Sequence, residues 1–253
     1  MVRQLIESFV DPALASQIDF DDFQPLIEKS YIAQNMRDFA DDLLVRVRLK
    51  DQPKQAAYIY LMIEFQSKPD RFMSLRLLNY ITLFYLDYLK ENPKARMLPP
   101  VFPLVLYNGK ARWNSPDSLR DIIESNDFCR QFTPDFRYLT IEERKYPTGK
   151  LLQVGNAVAT VFMLENSTAN DFDRLADQLG EMLKNELAHT IALLAQWMRH
   201  LFVNKKVDIS VYNEINLIHN QQEAKSMLVE TIEQVKQNWL HQGIDQGIQQ
   251  GMQ

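Results

Sequence analysis

The sequence predicts an α/β core followed by a helical C-terminal region, and the order of its patterned segments carries this prediction. Two strand-like segments, 41–49 and 58–67, are separated by the polar residues 50–55, which predict a tight turn. A long amphipathic helical segment, 71–91, follows them, and a third strand is predicted at 101–107. Farther along the chain, strand signals fade and helical patterns with few breakers take over.

The first strand has the alternation that is typical of a half-buried strand. Its apolar residues Val45, Val47 and Leu49 alternate with Arg46 and Arg48. One face of this strand is therefore expected to pack on a core, while the other face carries charge into solvent.

The second strand is apolar from Tyr58 to Ile63, and the acidic and polar residues Glu64 and Gln66 follow. A continuous apolar run indicates a central strand that is covered on both faces. A charged residue at the end of such a strand is costly unless it is paired or binds a cation. Glu64 is therefore a candidate functional residue.

The helical segment 71–91 has Asp70 before it as the expected N-cap and Asn92-Pro93 after it as the expected stop. One face of this helix is apolar and is predicted to be buried: Met73, Leu77, Tyr80, Ile81, Phe84 and Tyr88.

The third strand, 101–107, is closed by the turn sequence Asn108-Gly109 and contains Pro103. Proline cannot donate a hydrogen bond to a neighbouring strand, so Pro103 predicts a bulge or an edge position. A fourth strand is predicted at 136–139.

Helices are predicted before and after this core in the sequence, at 2–9, 12–18, 151–164, 172–202 and 211–240. In the tail 241–253, glycine recurs at every fourth position. On a helix these glycines would line one stripe and allow close helix–helix approach. A self-associating helix and a loose tail are both compatible with this pattern. The chain is thus divided into 1–150, 151–240 and 241–253.

The amino-acid composition limits the classes of protein to which the chain can belong. Of the 253 residues, 46% are apolar, which is enough to bury a core. No apolar run of membrane-spanning length and no signal-peptide pattern occurs, so a soluble cytoplasmic protein that does not interact with membranes is expected. Cys129 is the single cysteine, which excludes an internal disulfide and a cysteine zinc site. The net charge of −5 argues against a broad basic surface for nucleic acid, although a local basic rim can lie within an acidic average.

Two carboxylates are predicted to come together at the ends of the first two strands. Glu64 and Gln66 point to the same face, and Asp42 begins the neighbouring antiparallel strand. Carboxylates a few ångströms apart repel each other unless a cation lies between them. Mg²⁺ suits such a site because it takes carboxylate oxygens and keeps several waters.

A purely structural interpretation stays open beside the metal site. Asp41 and Asp42 could cap a strand, and Glu64 could form an ion pair with Arg46 or Arg76. Three other enzyme classes lack their motifs, because the sequence contains no GxSxG, no phosphate-binding glycine loop and no HExxH.

As a set, these motifs resemble the Rpn family of recombination-promoting nucleases, also described as "putative transposases", within the PD-(D/E)XK nuclease superfamily. The resemblance covers roughly residues 1–150 well and the helical part more loosely, and the glycine-rich tail is also similar. The matching segments are 42–47, 63–67, 73–78 and 98–109.

The resemblance implies a restriction-endonuclease-like mixed sheet flanked by helices over 1–150. It also implies a bacterial, metal-dependent DNA endonuclease that hydrolyses phosphodiester bonds and is associated with recombination or mobile elements. Asp42 and Glu64 would bind Mg²⁺ or another divalent cation. Gln66 takes the place of the superfamily lysine, and its neutral amide can orient water or phosphate but supplies no positive charge, so modest catalysis is expected.

Several alternatives for these assignments stay open. Asp41 replaces Asp42 if the strand register slips by one residue. Lys68 is an alternative to the superfamily lysine, and Glu28 is either an extra carboxylate or a surface acid. Relatives usually begin with a further segment that contains a His-Asp and a phenylalanine-rich helix. Its absence here leads to the alternative expectation of a shortened, weak or non-catalytic chain that acts as an interaction or oligomerisation protein through 151–253.

Overall fold

A computed structural model describes residues 1–26, 40–64, 68–124, 128–167, 178–203, 220, 222–235 and 237. The contacts within the chain divide it into two compact units. One unit comprises Ile6–Lys145, and the other comprises Met1–Leu5 together with Tyr146–Gln253. The predicted division into three parts stays a prediction.

The first unit is built on a five-stranded mixed sheet in the part of the chain that the structure describes. The strands lie in the order of the sequence. β1 to β3 pair antiparallel, and β3 to β5 pair parallel. The predicted α/β class is confirmed at this level. The strands are β1 (Ile18–Pro25), β2 (Ala40–Leu49), β3 (Gln52–Glu64), β4 (Val101–Tyr107) and β5 (Leu139–Glu142).

The hairpin between β2 and β3 is tighter than predicted. The sequence indicated a turn over 50–55, but β3 already begins at Gln52. The pairing changes register between Arg48, which lies opposite Ala56, and Leu49, which lies opposite Gln52. Residues 53–55 are therefore accommodated as an irregularity within the strand, where the proline at position 53 needs no ladder hydrogen bond.

The strand β1 was missed, and the predicted helix over 12–18 is wrong beyond Ala15. The helix α1 (Val2–Phe9) agrees with the prediction, whereas α2 (Pro12–Ala15) is one turn long. β1 lies at the edge of the sheet, where charged side chains remain in solvent and block further pairing. Its Asp22 forms an ion pair with Arg48 of β2.

The helix α3 (Met73–Glu91) connects β3 to β4 and covers one face of the sheet. The predicted N-cap at Asp70 is wrong, because the helix begins at Met73 with Phe72 as its N-cap residue and without a side-chain capping hydrogen bond. The Asp70 Oδ1 atom instead accepts a hydrogen bond from the Phe72 backbone N at 2.8 Å in the preceding turn. The predicted apolar face is buried, with Tyr88 partly buried. Aromatic rings join the helix to the sheet: Tyr58 to Phe84 at 4.8 Å, and Tyr60 to Tyr80 at 6.2 Å, between centroids.

Pro103 lies in β4, inside the sheet, at a point where only one neighbour is paired. It lies opposite Tyr60 of β3, while pairing with β5 begins at Leu104. Pro103 is therefore at an edge only in the sense that the start of β4 has no partner strand on its β5 side. The fourth predicted strand is shifted, because Arg137 forms an isolated bridge with Ser118 before β5 begins at Leu139.

The second unit is helical in its described residues, as predicted. It contains α4 (Thr148–Val154), α5 (Ala157–Glu165) and α6 (Ala188–Val203), and residues 178–182 and 222–235 are also helical. The predicted single helix over 151–164 is wrong, because Gly155 adopts φ +56° and ends α4. The predicted helix over 172–202 is wrong in its described part, because residues 183–187 form a turn between the helical residues 178–182 and α6. The predicted tail lies outside the described residues. No helix within the described ranges is long and apolar enough to cross a membrane.

Candidate active site at one edge of the sheet

The strand register places Asp42 and Glu64 at neighbouring positions on one face of the sheet. Asp42 lies opposite Met62, and Ala40 lies opposite Glu64. Positions two apart in a strand share a face, so 42 and 64 have the same orientation in the pleat. They form a diagonal pair, and such pairs are separated by roughly 7–8 Å between Cα atoms. The structure thus brings these two backbone positions together at the end of β3.

Position 41 lies at the opposite place in the pleat. It pairs with Ile63, so the pleat directs position 41 to the other face of the sheet. The register therefore favours Asp42 over Asp41 as the partner of Glu64, although both assignments stay predictions.

The carboxylate of Asp42 is held by a buried tyrosine. Tyr60 Oη donates a hydrogen bond to Asp42 Oδ2 at 2.5 Å. Tyr60 is 0% exposed, whereas Asp42 is half-buried at the rim of the core. A hydrogen bond to a carboxylate contributes about 1.5–3 kcal/mol and restricts the orientation of both groups. The geometry of Asp42 is therefore fixed before any ligand binds.

The face that carries these positions continues across β4 and β5 as one transverse row. Tyr107 of β4 lies opposite Glu64, and Glu142 of β5 lies opposite Tyr107. Glu142 is 6% exposed, and its Oε1 atom accepts a hydrogen bond from the Trp113 backbone N at 3.3 Å. Its Oε2 atom lies 3.0 Å from Lys145 Nζ. A second buried carboxylate thus lies in the same row, with one oxygen accepting a hydrogen bond and the other in an ion pair with Lys145 that lacks hydrogen-bond geometry.

Burial governs the titration of the tyrosine beside this row. Tyr138 is 2% exposed, packs edge-on against Trp113 and donates a hydrogen bond to the Pro116 carbonyl at 3.0 Å. Desolvation by burial raises the pKa of Tyr138 to about 12. The phenol is therefore neutral at physiological pH, and its role is to pack in the core.

The two arginines considered as structural partners of Glu64 have other carboxylate partners. Arg76 Nη1 lies 3.0 Å from Asp70 Oδ2. Arg46 Nη1 lies 3.9 Å from Asp22 Oδ2 at the other end of the strand. The interpretation of Glu64 as an ion-pair partner of Arg46 or Arg76 stays a prediction, because only the backbone position of Glu64 is described.

The remaining predicted residues are placed only in part. Lys68 is exposed beyond the end of β3. Gln66 and Glu28 lie outside the described residues, and for Glu64 the description is limited to its backbone position in the strand.

The donor chemistry at this edge fits Mg²⁺. Asp42 and Glu64 offer carboxylate oxygens, and Mg²⁺ is usually bound by one or two carboxylates, with waters and substrate phosphate completing the octahedron. In the part of the chain that the structure describes, no group of three or more His, Cys, Asp or Glu residues could hold a metal ion.

Two features of the site were missed from the sequence. Tyr60 was interpreted only as an apolar strand residue, although it has the same strand parity as Glu64 and so lies on the same face. Glu142 was not considered, because the predicted strand ended at 139. A correct boundary for β5 would have placed this acid in the row.

Comparison with known proteins gives consistent results. A family model described as "Putative transposase, YhgA-like" matches residues 1–194. The chain is 30% identical over 194 residues to the recombination-promoting nuclease RpnD of Escherichia coli O157:H7, covering 76% of this chain and 72% of that protein. It is also 30% identical over 82 residues to RpnC of Escherichia coli K12, covering 32% of this chain and 26% of that protein. No solved structure matches.

Proposed function

The chain belongs to the YhgA-like putative transposase family, and we propose that it is a metal-dependent endonuclease that hydrolyses phosphodiester bonds in DNA. The names of its relatives, recombination-promoting nucleases, support a nuclease or transposase-like role. By extension from those names, we assign this chain a role in recombination or mobile-element biology, with DNA in the cytoplasm as its substrate. The proposed fold is the PD-(D/E)XK type, to which the mixed sheet is suited.

The observation that carries the proposal is the β2–β3 register. It gives positions 42 and 64 the same orientation at one edge of the sheet. In the proposed site, Asp42 and Glu64 hold Mg²⁺, and Tyr60 keeps the Asp42 carboxylate in one orientation. When bound, Mg²⁺ would polarise the scissile phosphate and activate a water molecule for attack on phosphorus.

Gln66 takes the third role in this proposal. Its position, two residues after Glu64, matches that of the superfamily lysine, and its amide would orient the attacking water or a phosphate oxygen. An amide carries no charge to offset the negative charge that develops in the transition state, so the proposed enzyme is slow.

A plasmid-nicking assay tests the proposal. Purified full-length chain should nick supercoiled DNA with Mg²⁺, and EDTA should abolish the reaction. Asp42→Asn and Glu64→Gln should each lower the rate at least 100-fold, since each removes a charged metal ligand while keeping the side chain's shape. Asp41→Asn is the matched control, because it makes the same change one residue away on the opposite face. Equal rates for wild type, Asp42→Asn and Glu64→Gln would refute the proposal.

A further inference from the structure

Exposed basic residues follow the carboxyl ends of two parallel strands, next to the proposed site. The carboxyl ends of parallel strands meet at one edge of a sheet, and here that edge also contains Asp42 and the end of β3. The basic residues are Lys110 and Arg112 after β4, and Arg144 and Lys145 after β5. All four are exposed.

Buried contacts hold these two segments together. The Glu142 carboxylate accepts a hydrogen bond from the Trp113 backbone N through one oxygen and pairs with Lys145 through the other. The Trp113 ring lies against Tyr107, with 4.8 Å between centroids. Arg112, which directly precedes Trp113, and Lys145 are therefore anchored to the same buried carboxylate. The spacing between the two basic segments is set by the core rather than by loose loops.

The exposed charged side chains directly after β4 and β5 are positive, with Lys145 also paired to the buried Glu142. No acidic residue occurs between Tyr107 and Pro116 in the sequence. The two acids at the end of β5, Glu142 and Glu143, are only 6% and 2% exposed. The chain as a whole carries a net charge of −5. A local basic surface on an acidic protein attracts a polyanion to that surface, whereas the rest of the protein repels it.

From this arrangement we infer that Lys110, Arg112, Arg144 and Lys145, which we name the basic rim, bind the phosphate backbone of duplex DNA beside the proposed metal site. The inference rests on the proposed function. It goes further by naming the surface that holds the substrate and the chemical group that this surface contacts.

The spacing in the sheet suits this role. Glu64, Tyr107 and Glu142 occupy successive strands of one row. Strands lie roughly 4.8 Å apart, so the ends of β4 and β5, which the two basic segments follow, lie about 5 and 10 Å from the end of β3. One DNA strand has a phosphate for about every 3.4 Å of helix axis. The rim would therefore contact phosphates within about three nucleotides of the bond that is cut.

Salt-dependent DNA binding tests the inference. Fluorescence anisotropy of a labelled duplex with the full chain would be measured in EDTA, which prevents metal-dependent cleavage, over a range of KCl concentrations. The test variant is Lys110→Gln/Arg112→Gln. The matched control is Lys94→Gln/Arg96→Gln, which also removes one exposed lysine and one exposed arginine but precedes β4, at the opposite edge of the sheet. The two variants have the same net charge.

The rim variant should bind roughly tenfold more weakly near physiological salt, and the slope of log K against log[salt] should become shallower by about 1.8, or about 0.9 per lost phosphate contact. The control pair should retain the wild-type slope. Arg144→Gln, on the other segment, should reduce the slope by about 0.9. Thermal melting checks that the variants are folded, since exposed substitutions have small effects on stability.

Three outcomes would overturn the inference: wild type that does not bind the duplex, rim variants with the wild-type slope, and equal weakening by the rim and control pairs. The proposed function fails separately. If Asp42→Asn left Mg²⁺-dependent nicking unchanged while the rim variants lost binding, the metal site would be wrong and the rim would stand.

Discussion

Tyr60 of β3 donates a hydrogen bond to Asp42 of β2, with 2.5 Å between Oη and Oδ2. The ring of Tyr60 is fully buried and is stacked on Tyr80 of α3 at an interplanar angle of 29°. The packing of α3 on the sheet therefore fixes the position of the Tyr60 hydroxyl, and this hydroxyl in turn orients the Asp42 carboxylate. The core of the unit and the proposed metal site are linked through this bond.

Tyr60→Phe should weaken divalent-cation binding while the fold is retained. The ring and its stacking remain, but the carboxylate loses the donor that orients it. We expect about 1.5 kcal/mol lower stability in urea denaturation, the loss of one hydrogen bond to a charged group. The apparent Kd for Mn²⁺, measured by isothermal titration calorimetry, should rise several-fold.

Tyr80→Phe is the control for that prediction. It removes one hydroxyl from the ring that is stacked on Tyr60 and leaves the bond to Asp42 in place. Its Mn²⁺ affinity should match the wild type. If both variants weakened binding equally, the effect would come from general loosening of the aromatic core and not from the orientation of Asp42.

Divalent cations should stabilise the protein through Asp42 and Glu64. Mg²⁺ at about 100 times its Kd contributes roughly 2.7 kcal/mol, which raises the melting temperature by roughly 5–10 °C for a chain of this size. Differential scanning fluorimetry with and without Mg²⁺ measures the shift. Asp42→Asn should abolish it and Asp41→Asn should retain it. A shift that survives in Asp42→Asn would indicate that the cation binds elsewhere.

The sequence predicted those parts of the fold that depend on local patterns. The buried face of α3 follows from periodicity and is present in the structure. The half-buried alternation of β2 holds only in part: Val45 and Val47 are buried as predicted, but Leu44 on the opposite face is also 0% exposed, because α3 covers that face. The edge strand β1 could not be recognised in the same way. Its residues are acidic and aromatic without a clean alternation, and they form a strand because β2 offers a free edge with Arg46 and Arg48 beside Asp22.

From the sequence, only the kind of residue in the candidate site, a carboxylate at the end of an apolar strand, could be predicted. A charge at the end of an apolar strand drew attention to Glu64, but choosing between Asp41 and Asp42 required the register, which depends on pairing over the whole hairpin. The Tyr60–Asp42 bond joins residues 18 positions apart. The Glu142 contact to Trp113 spans 29 positions. Contacts of this kind arise from tertiary packing and have no local sequence signal.

Stability should fall with rising pH in the alkaline range because of Tyr138. Burial raises the pKa of Tyr138 from its ordinary value of 10.0 to about 12 in the folded protein, so between these values the folded state retains a proton that the unfolded state has lost. The contribution is fully present below pH 10 and is lost as the pH rises towards 12. Urea denaturation at a series of pH values should show the decline.

Tyr138→Phe isolates this effect from the other groups that titrate in the same range. The variant should lose about 1 kcal/mol at pH 7, since the hydrogen bond to the Pro116 carbonyl is removed. Its stability should then fall less steeply than that of the wild type between pH 10 and 12. Parallel curves for the two proteins would show that Tyr138 does not carry the alkaline loss.

Two glycines of α4 should respond to alanine with opposite signs. Gly155 ends the helix at φ +56°, a conformation that costs an L-residue about 1–2 kcal/mol, so Gly155→Ala should lower the melting temperature. Gly149 lies within the helix, and apart from its chain neighbours and the backbone of its own helix no heavy atom is within 4 Å of the position of an added Cβ. Gly149→Ala should therefore stabilise the protein by about 0.5 kcal/mol, because it reduces the conformational freedom of the unfolded chain. Thermal melting followed by circular dichroism compares the two variants directly. If Gly155→Ala were as stable as Gly149→Ala, the helix would continue through position 155 into α5, as the sequence pattern alone predicted.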